Sequence, residues 1–177
     1  MRIIAGSLKG KPLTTPKDEK IRPTIGRVKE GVFSSIQFEL QNSVFIDLFS
    51  GTGQMGIEAL SRGAKRCFFI DSNREAAALI SKNIENCSFS DRAEIKTTDY
   101  ESFLNFNNEK FDICYIDPPF GENLFEKAIE KVSGHMGENG IILCESDKKQ
   151  PLPENISDFK LKKEYFYGNI KITRFGR

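Results

Sequence analysis

Val44-Phe45-Ile46-Asp47-Leu48-Phe49-Ser50-Gly51-Thr52-Gly53-Gln54-Met55-Gly56 carries the architecture of this 177-residue chain. A short apolar run ends in an acid, a glycine-bracketed turn follows, and 57–60 reads as helix. Strand, tight loop and helix start, in that order, bring backbone close to a ligand. A second short element, Asp117-Pro118-Pro119-Phe120, again closes an apolar run. The two strand ends are expected to face one pocket.

Outward from that stretch the pattern alternates. Strands are expected at 44–49, 66–71, 93–97, 111–117 and 140–145, with helices at 53–62, 73–86, 100–106 and 124–132 between them. Such alternation argues for a parallel sheet with helices on both faces. The tail differs: 159–167 and 169–175 alternate around Gly168, which predicts an antiparallel hairpin at a sheet edge. Before the first strand, 2–15 reads as two short strands around Ser7-Leu8-Lys9-Gly10, and 16–23 as loop. Thr24 can cap a helix whose apolar stripe is Val28, Val32, Phe33, Ile36 and Leu40. The expected division is a basic amino-terminal hairpin, loop and docking helix over 1–42, and one compact unit over 43–177.

Composition is that of an ordinary globular protein, with 38% hydrophobic and 29% charged residues. No apolar run approaches the roughly 18 residues of a spanning helix, and Met1 to Gly6 is not a signal peptide, so no membrane association is expected and the cytoplasm is the expected compartment. Cys67, Cys87, Cys114 and Cys144 are widely spaced and read as reduced core thiols; no metal-ligand spacing appears. The net charge of +1 is uneven. Residues 1–31 carry eight basic and three acidic side chains, a net +5, which leaves −4 on the remainder. A basic arm on a mildly acidic body suits a polyanion-binding enzyme. Arg2, Lys9, Lys11, Arg22 and Arg27 are the candidate phosphate contacts.

Asp47, Asp71 and Asp117 each end an expected strand, and Asp99 lies just past another. Ligands of open α/β sheets bind outside the carboxyl ends of the strands, so these acids are candidates for one pocket. Any one of them could instead cap the following helix. Gly51-Thr52-Gly53-Gln54-Met55-Gly56 fits the dinucleotide pattern, with Asp71 set for a ribose hydroxyl. Asp47 argues against a pyrophosphate and for a cation such as the sulfonium of S-adenosylmethionine, whose adenine amine Asp99 could accept. Asp117 and the Pro118 carbonyl offer acceptors without backbone donors, a match for an exocyclic amine, and Phe120 offers a stacking face.

On these residues, the chain resembles Class I S-adenosylmethionine-dependent methyltransferases. More narrowly it resembles the bacterial family that methylates the N2 amine of a guanine in 16S ribosomal RNA. The resemblance runs through Met1-Arg2-Ile3-Ile4-Ala5-Gly6, Arg22-Pro23-Thr24, Arg27-Val28-Lys29-Glu30, the 47–53 loop, Asp117 to Phe120 and the Tyr167-Gly168 hairpin. Gly31-Val32-Phe33-Ser34-Ser35 departs from the family's usual run but keeps Phe33. The resemblance implies a Rossmann-like, seven-stranded, mostly parallel sheet with an antiparallel carboxy-terminal hairpin. It implies S-adenosylmethionine contacts at Asp47, Phe49, Ser50, Gly51, Gly53, Asp71, Ser72, Asp99 and Tyr100. Base recognition and catalysis would fall to Asp117, Pro118, Pro119 and Phe120. The implied partner is ribosomal RNA or the small ribosomal subunit, and nothing demands more than a monomer. The alternatives are methylation of an adenine or cytosine amine in DNA or other RNA, a dinucleotide oxidoreductase, and a non-catalytic RNA-binding module. His135 reads as a surface cap, and Phe103, Phe106 and Phe111 as core.

Overall fold

The computed structural model describes residues 1–15, 26–119 and 124–177. The loop expected at 16–23, the Thr24 cap, Arg22 and Phe120 lie outside the described residues. Along the chain run α1 (Gly26–Ser35), β1 (Val44–Asp47), α2 (Gln54–Ser61), β2 (Arg66–Asp71), α3 (Arg74–Asn86), β3 (Ala93–Thr97) and α4 (Tyr100–Phe106). There follow β4 (Phe111–Ile116), α5 (Phe125–Ser133), β5 (Met136–Asp147), β6 (Asn155–Ile156), β7 (Phe159–Tyr167) and β8 (Ile170–Gly176). One sheet takes the order β3-β2-β1-β4-β5-β8-β7-β6. Strands β1 to β5 pair in parallel, and β8, β7 and β6 are added antiparallel. The expected seven strands become eight, because two residues of β6 pair with the start of β7 and extend the edge.

Alternation along the strands sorts the side chains into two cores. Phe45, Phe69, Ile113, Tyr115, Leu143 and Ile172 face the side covered by α1, α2 and α3. Ile46, Phe68, Ile70, Cys114, Ile142 and Phe175 face α4 and α5. Burial on both sides explains the continuous apolar runs of β1 and β4. All four cysteines are free and buried. Strand β5 begins four residues earlier than expected, at Met136. Its pairing with β4 slips between Phe111 and Ile113. Gly140 sits in that irregularity, where a Cβ would lie 2.8 Å from that of Met136.

Two expectations are corrected. Residues 2–15 do not form strands: a single bridge joins Arg2 and Pro12, and the segment is a tight excursion pinned to the helices instead. The Ile3, Gly10 and Leu13 N–H groups donate across the excursion, but those of Ile4, Ala5, Ser7 and Leu8 go to Glu58 and Ser61, which limits the ladder to that one bridge. Phe106 is not core but 88% exposed, because it ends α4 where that helix leaves the body, whereas Phe103 packs on Phe68 and Phe111.

The pin is Glu58, fully buried on α2. The Ile4 N–H donates to its Oε2 at 2.8 Å and the Ala5 N–H to its Oε1 at 2.9 Å. Lys29 of α1, only 2% exposed, brings Nζ within 3.1 Å of Oε2, and Arg62 donates from Nε at 2.8 Å. The Lys29 ammonium also donates to the Arg2 carbonyl at 2.8 Å. Gly6 then passes so close that a Cβ would sit 1.9 Å from the Ser61 carbonyl oxygen, and its φ of +84° favours glycine besides. Glu58→Ala would strand the Lys29 charge in the core. It should cost about 3–5 kcal/mol, read as a lower urea midpoint; a midpoint unchanged from the parent chain would refute the keystone role.

Candidate active site

The carboxyl ends of β1, β2 and β4 form one rim. Strand β1 lies between the other two, with Asp47 level with Phe69 of β2 and Tyr115 of β4. After Asp47 the chain turns sharply. The Gly53 N–H donates to the Ser50 carbonyl at 2.7 Å, and the Ser50 hydroxyl donates to the Asp47 carbonyl at 2.7 Å. Gly53 has φ +71°, and a Cβ there would press on Ile80 at 2.8 Å. Glycine is therefore required both by conformation and by space. Helix α2 starts from this turn, and its N-cap residue, Gly53, has no side chain to cap it. The Gly56 N–H donates to Asp47 Oδ2 at 3.2 Å.

Asp71 braces the same loop from β2. Its Oδ2 accepts from the Gly51 N–H at 2.7 Å and its Oδ1 from the Asn73 N–H at 2.8 Å. Each oxygen keeps a lone pair, and the residue is partly exposed while Ser72 is fully so. Asp99 is exposed and caps α4 by accepting from the Ser102 N–H at 2.8 Å, which holds its carboxyl below the usual range. Phe49 packs on Tyr100, ring centroids 5.2 Å apart, and closes the floor between β1 and α4. All the residues proposed for the cofactor thus lie along the ends of β1, β2 and β3.

Asp117 leaves β4 beside β5, one residue beyond the Ile116–Cys144 pair. Pro118 behind it is buried and Pro119 exposed. Sequence reasoning missed what stands opposite. Glu145 of β5 is 9% exposed, and the fully buried Tyr115 hydroxyl donates to its Oε2. No local signal marks either residue, since their meeting depends on the β4–β5 register. Asp47, Asp117 and Glu145 therefore crowd one end of the sheet, and among the described residues no lysine or arginine pairs with any of them. Burial, with Asp71 and Glu145 nearby, pushes the Asp47 carboxyl up to about 7 against the Gly56 hydrogen bond. Burial, then Glu145 and Asp47, push Asp117 well above the ordinary carboxylate range.

The candidate phosphate contacts divide. Lys9 lies in a turn held to the last turn of α2, with the Ser7 N–H donating to the Ser61 carbonyl at 2.7 Å. That is the far end of α2 from Gly53, about 12 Å along an eight-residue helix. Lys11 lies near Cys87, past the end of α3. Arg27 stands in the first turn of α1, whereas Arg2 bridges Pro12, beside Lys11, and gives only its carbonyl to Lys29 of α1. Helix α1 points that turn rimward: Gly31 meets Tyr167 at the rim end of β7, while the Ser35 carbonyl takes a hydrogen bond from Arg174 lower on β8. A concavity lined by Glu39, Gly140, Lys162, Tyr165 and Arg174 occupies the opposite end of the sheet and contains none of the rim acids. His135 is half-buried, its ring 3.3 Å from the Asn107 amide.

Comparison with known proteins agrees with this fold. The family model described as "Conserved hypothetical protein 95" matches residues 1–176. A Haemophilus influenzae protein named ribosomal RNA small subunit methyltransferase D is 37% identical over 163 residues, spanning 88% of this chain and 84% of its own. A solved Escherichia coli protein, provisionally assigned as a methyltransferase, superposes with a TM-score of 0.88 at 26% identity, over 100% of this chain and 97% of its own. A solved Haemophilus influenzae protein, provisionally assigned as a methylase, gives 0.81 at 32% identity, over 99% and 97%. The sheet described above is the Class I methyltransferase fold.

The raised Asp47 carboxyl has a stability signature. A folded value near 7 against an unfolded 3.8 means folding holds the proton more tightly. The penalty is absent below the unfolded value, grows through that window and is constant above it. Asp47→Asn should therefore raise the melting temperature at pH 8 and lose that advantage towards pH 4. Equal melting shifts at both pH values would contradict it.

Proposed function

The chain belongs to the conserved hypothetical protein 95 family, and from that premise we propose that it transfers a methyl group from S-adenosylmethionine to the exocyclic N2 amine of a guanine in 16S ribosomal RNA. The observation that carries this reading is the shared rim: a glycine loop braced by Asp71 and a proline corner led by Asp117 stand at neighbouring strand ends. Relatives named for small-subunit ribosomal RNA methylation support the substrate class.

The donor set fits the cofactor. Asp47, Asp71 and Asp117 surround the loop with no basic partner among the described residues, which would repel a pyrophosphate and suits a cation bearing a ribose. Asp71 would hold the ribose hydroxyls through the lone pairs that its two backbone contacts leave free. Phe49, Ser50, Gly51, Gly53 and Ser72 would line the same cleft, with Asp99 and Tyr100 towards the adenine. S-adenosylmethionine, when bound, supplies the methyl group on a positively charged sulfur. The protein's own task is then alignment more than acid–base power.

Asp117 and the Pro118 carbonyl accept the two N–H bonds of the amine. Neither proline has an N–H of its own, so nothing at the corner competes as a donor. Two acceptors draw the nitrogen towards a tetrahedral shape and offset the positive charge that grows on it. Phe120, next in the sequence, is the proposed stacking partner of the base. Arg27 is the phosphate contact that this reading favours, because it stands in the first turn of α1; Arg2, bridged to Pro12 beside Lys11, would with Lys9 and Lys11 reach RNA that wraps along α2 and α3. Arg22 stays a candidate on its sequence position.

Labelled-methyl transfer to deproteinised ribosomal RNA, to small subunits and to DNA tests the assignment. Incorporation into the N2 of a guanine in small-subunit RNA is expected, and incorporation only into DNA would overturn it. Asp117→Ala should lower turnover roughly a hundredfold or more with cofactor affinity kept; equal loss of both would argue against the amine clamp. Asp71→Ala should raise the cofactor Kd by roughly tenfold to a hundredfold in calorimetry. An unchanged Kd would remove the ribose role.

A further inference from the structure

Glu145 is absorbed by none of the roles above. It lies on a strand that neither motif touches, it is buried, and it carries a charge that no base neutralises among the described residues. A buried carboxylate of that kind is costly, and its persistence calls for a reason. Register supplies the geometry. Tyr115 pairs with Leu143 and Ile116 with Cys144, so the next step sets Asp117 against Glu145. Side chains two residues apart share a face, which puts Tyr115, Asp117 and Glu145 on the same side of the sheet. The Tyr115 hydroxyl donates to Glu145 Oε2 and so fixes that carboxyl, while Asp117 leads the free corner.

We propose that Glu145 is a positioning residue for the transfer: anchored by the Tyr115 hydroxyl, it holds Asp117 ready to receive the proton that the methylated amine sheds. The proposal rests on the methyl-transfer reading of the same rim. The amine nitrogen forms its new bond to the methyl carbon with its lone pair, and the carbon–sulfur pair stays with sulfur. One N–H then breaks, its electrons return to nitrogen, and the proton passes to Asp117. A sulfonium and a carboxylate become a neutral thioether and a neutral acid, so charge balances.

An isolated, solvated aspartate would be a weak acceptor. Beside Glu145 and Asp47 it holds a proton far more readily, since burial and two like charges both oppose its ionisation. Burial raises Glu145 as well, and the Tyr115 hydroxyl counters this by favouring its charged form. The titratable groups facing the pair are Asp47 from β1, Tyr115 from β4 and, beyond Asp47, Asp71 from β2. From β8 the neighbour of Glu145 is Ile172, which contributes no charge.

The test compares the wild type with Glu145→Gln, to whose amide oxygen Tyr115 can still donate. Isotope-labelled carboxyl NMR of the cofactor-free protein follows Asp117 directly. Its titration midpoint should fall by about one pH unit in the variant, and the acid limb of single-turnover methyl transfer should move the same way. Tyr115→Phe, which leaves Glu145 easier to protonate, should also lower the Asp117 midpoint. It thus keeps the proposal testable if Glu145→Gln melts early. An Asp117 midpoint that is the same in wild type and both variants overturns the role of Glu145. Wild-type protein that transfers no methyl to ribosomal RNA would instead sink the functional reading, whatever the titration gives.

Discussion

A single carboxylate buried on α2 ties the molecule together. Glu58 takes two backbone N–H groups from residues 4 and 5, the Lys29 ammonium from α1 and the Arg62 guanidinium from its own helix. Burial alone would make this charge untenable, and four donors in good geometry are what make it tolerable. The Lys29 side is as constrained, since burial depresses its affinity for a proton and Glu58 offsets only part of that loss. Because α2 springs from the glycine loop, the residues that fasten the basic arm and α1 share a helix with the turn that shapes the cofactor cleft. A hydrophobic contact would give similar adhesion but no direction; the paired hydrogen bonds fix where Ile4, Ala5 and the first turn of α1 stand.

The rim is built on the opposite principle. Glu58 is fully answered, whereas Asp47, Asp117 and Glu145 face one another with no base paired to them among the described residues. Like charges in a poorly solvated cleft oppose folding, and structure-stabilising acids are not arranged in this way. The fold carries that cost at the strand ends, where an α/β sheet keeps its ligands. The two acidic systems lie on the same half of the molecule and differ only in whether a cation is built in or left to arrive.

How far the sequence revealed this depended on range. Strands β2 and β3 were readable to the residue, because turn signals bound Arg66–Asp71 and Ala93–Thr97 on both sides. The stripe of α1 was readable from its spacing, and Val28, Val32, Phe33, Ile36 and Leu40 are all buried, but α1 ends at Ser35, so that Ile36 and Leu40 reach the core from the turn beyond it and not from the helix expected to carry them. Lys29 stands one place from that stripe, and only the packing of α1 against α2 reveals it as a core residue. Residues 2–15 looked like strands because alternation registers apolar spacing and not the destination of N–H groups, several of which go to Glu58 and Ser61. Phe106 looked like core because hydropathy does not register where a helix departs from the body. The acids at strand ends were visible one by one. Glu145 was not, since its significance arises from the register between two strands and from a tyrosine thirty positions away.

That register also explains why the proline corner follows β4 and no other strand. Strand β4 lies between β1, which carries the glycine loop, and β5, which turns back into the antiparallel hairpin. A corner placed there can touch a cofactor on one side and an incoming base on the other. At β3, on the outer edge, it could touch only the first. The hairpin closes the other flank, with Tyr167 against Gly31 of α1. A Cβ at position 31 would lie 2.0 Å from the Tyr167 hydroxyl oxygen, so that any larger residue there would displace the ring. The glycine that departs from the family's usual run therefore gives the last tyrosine of β7 its place against α1.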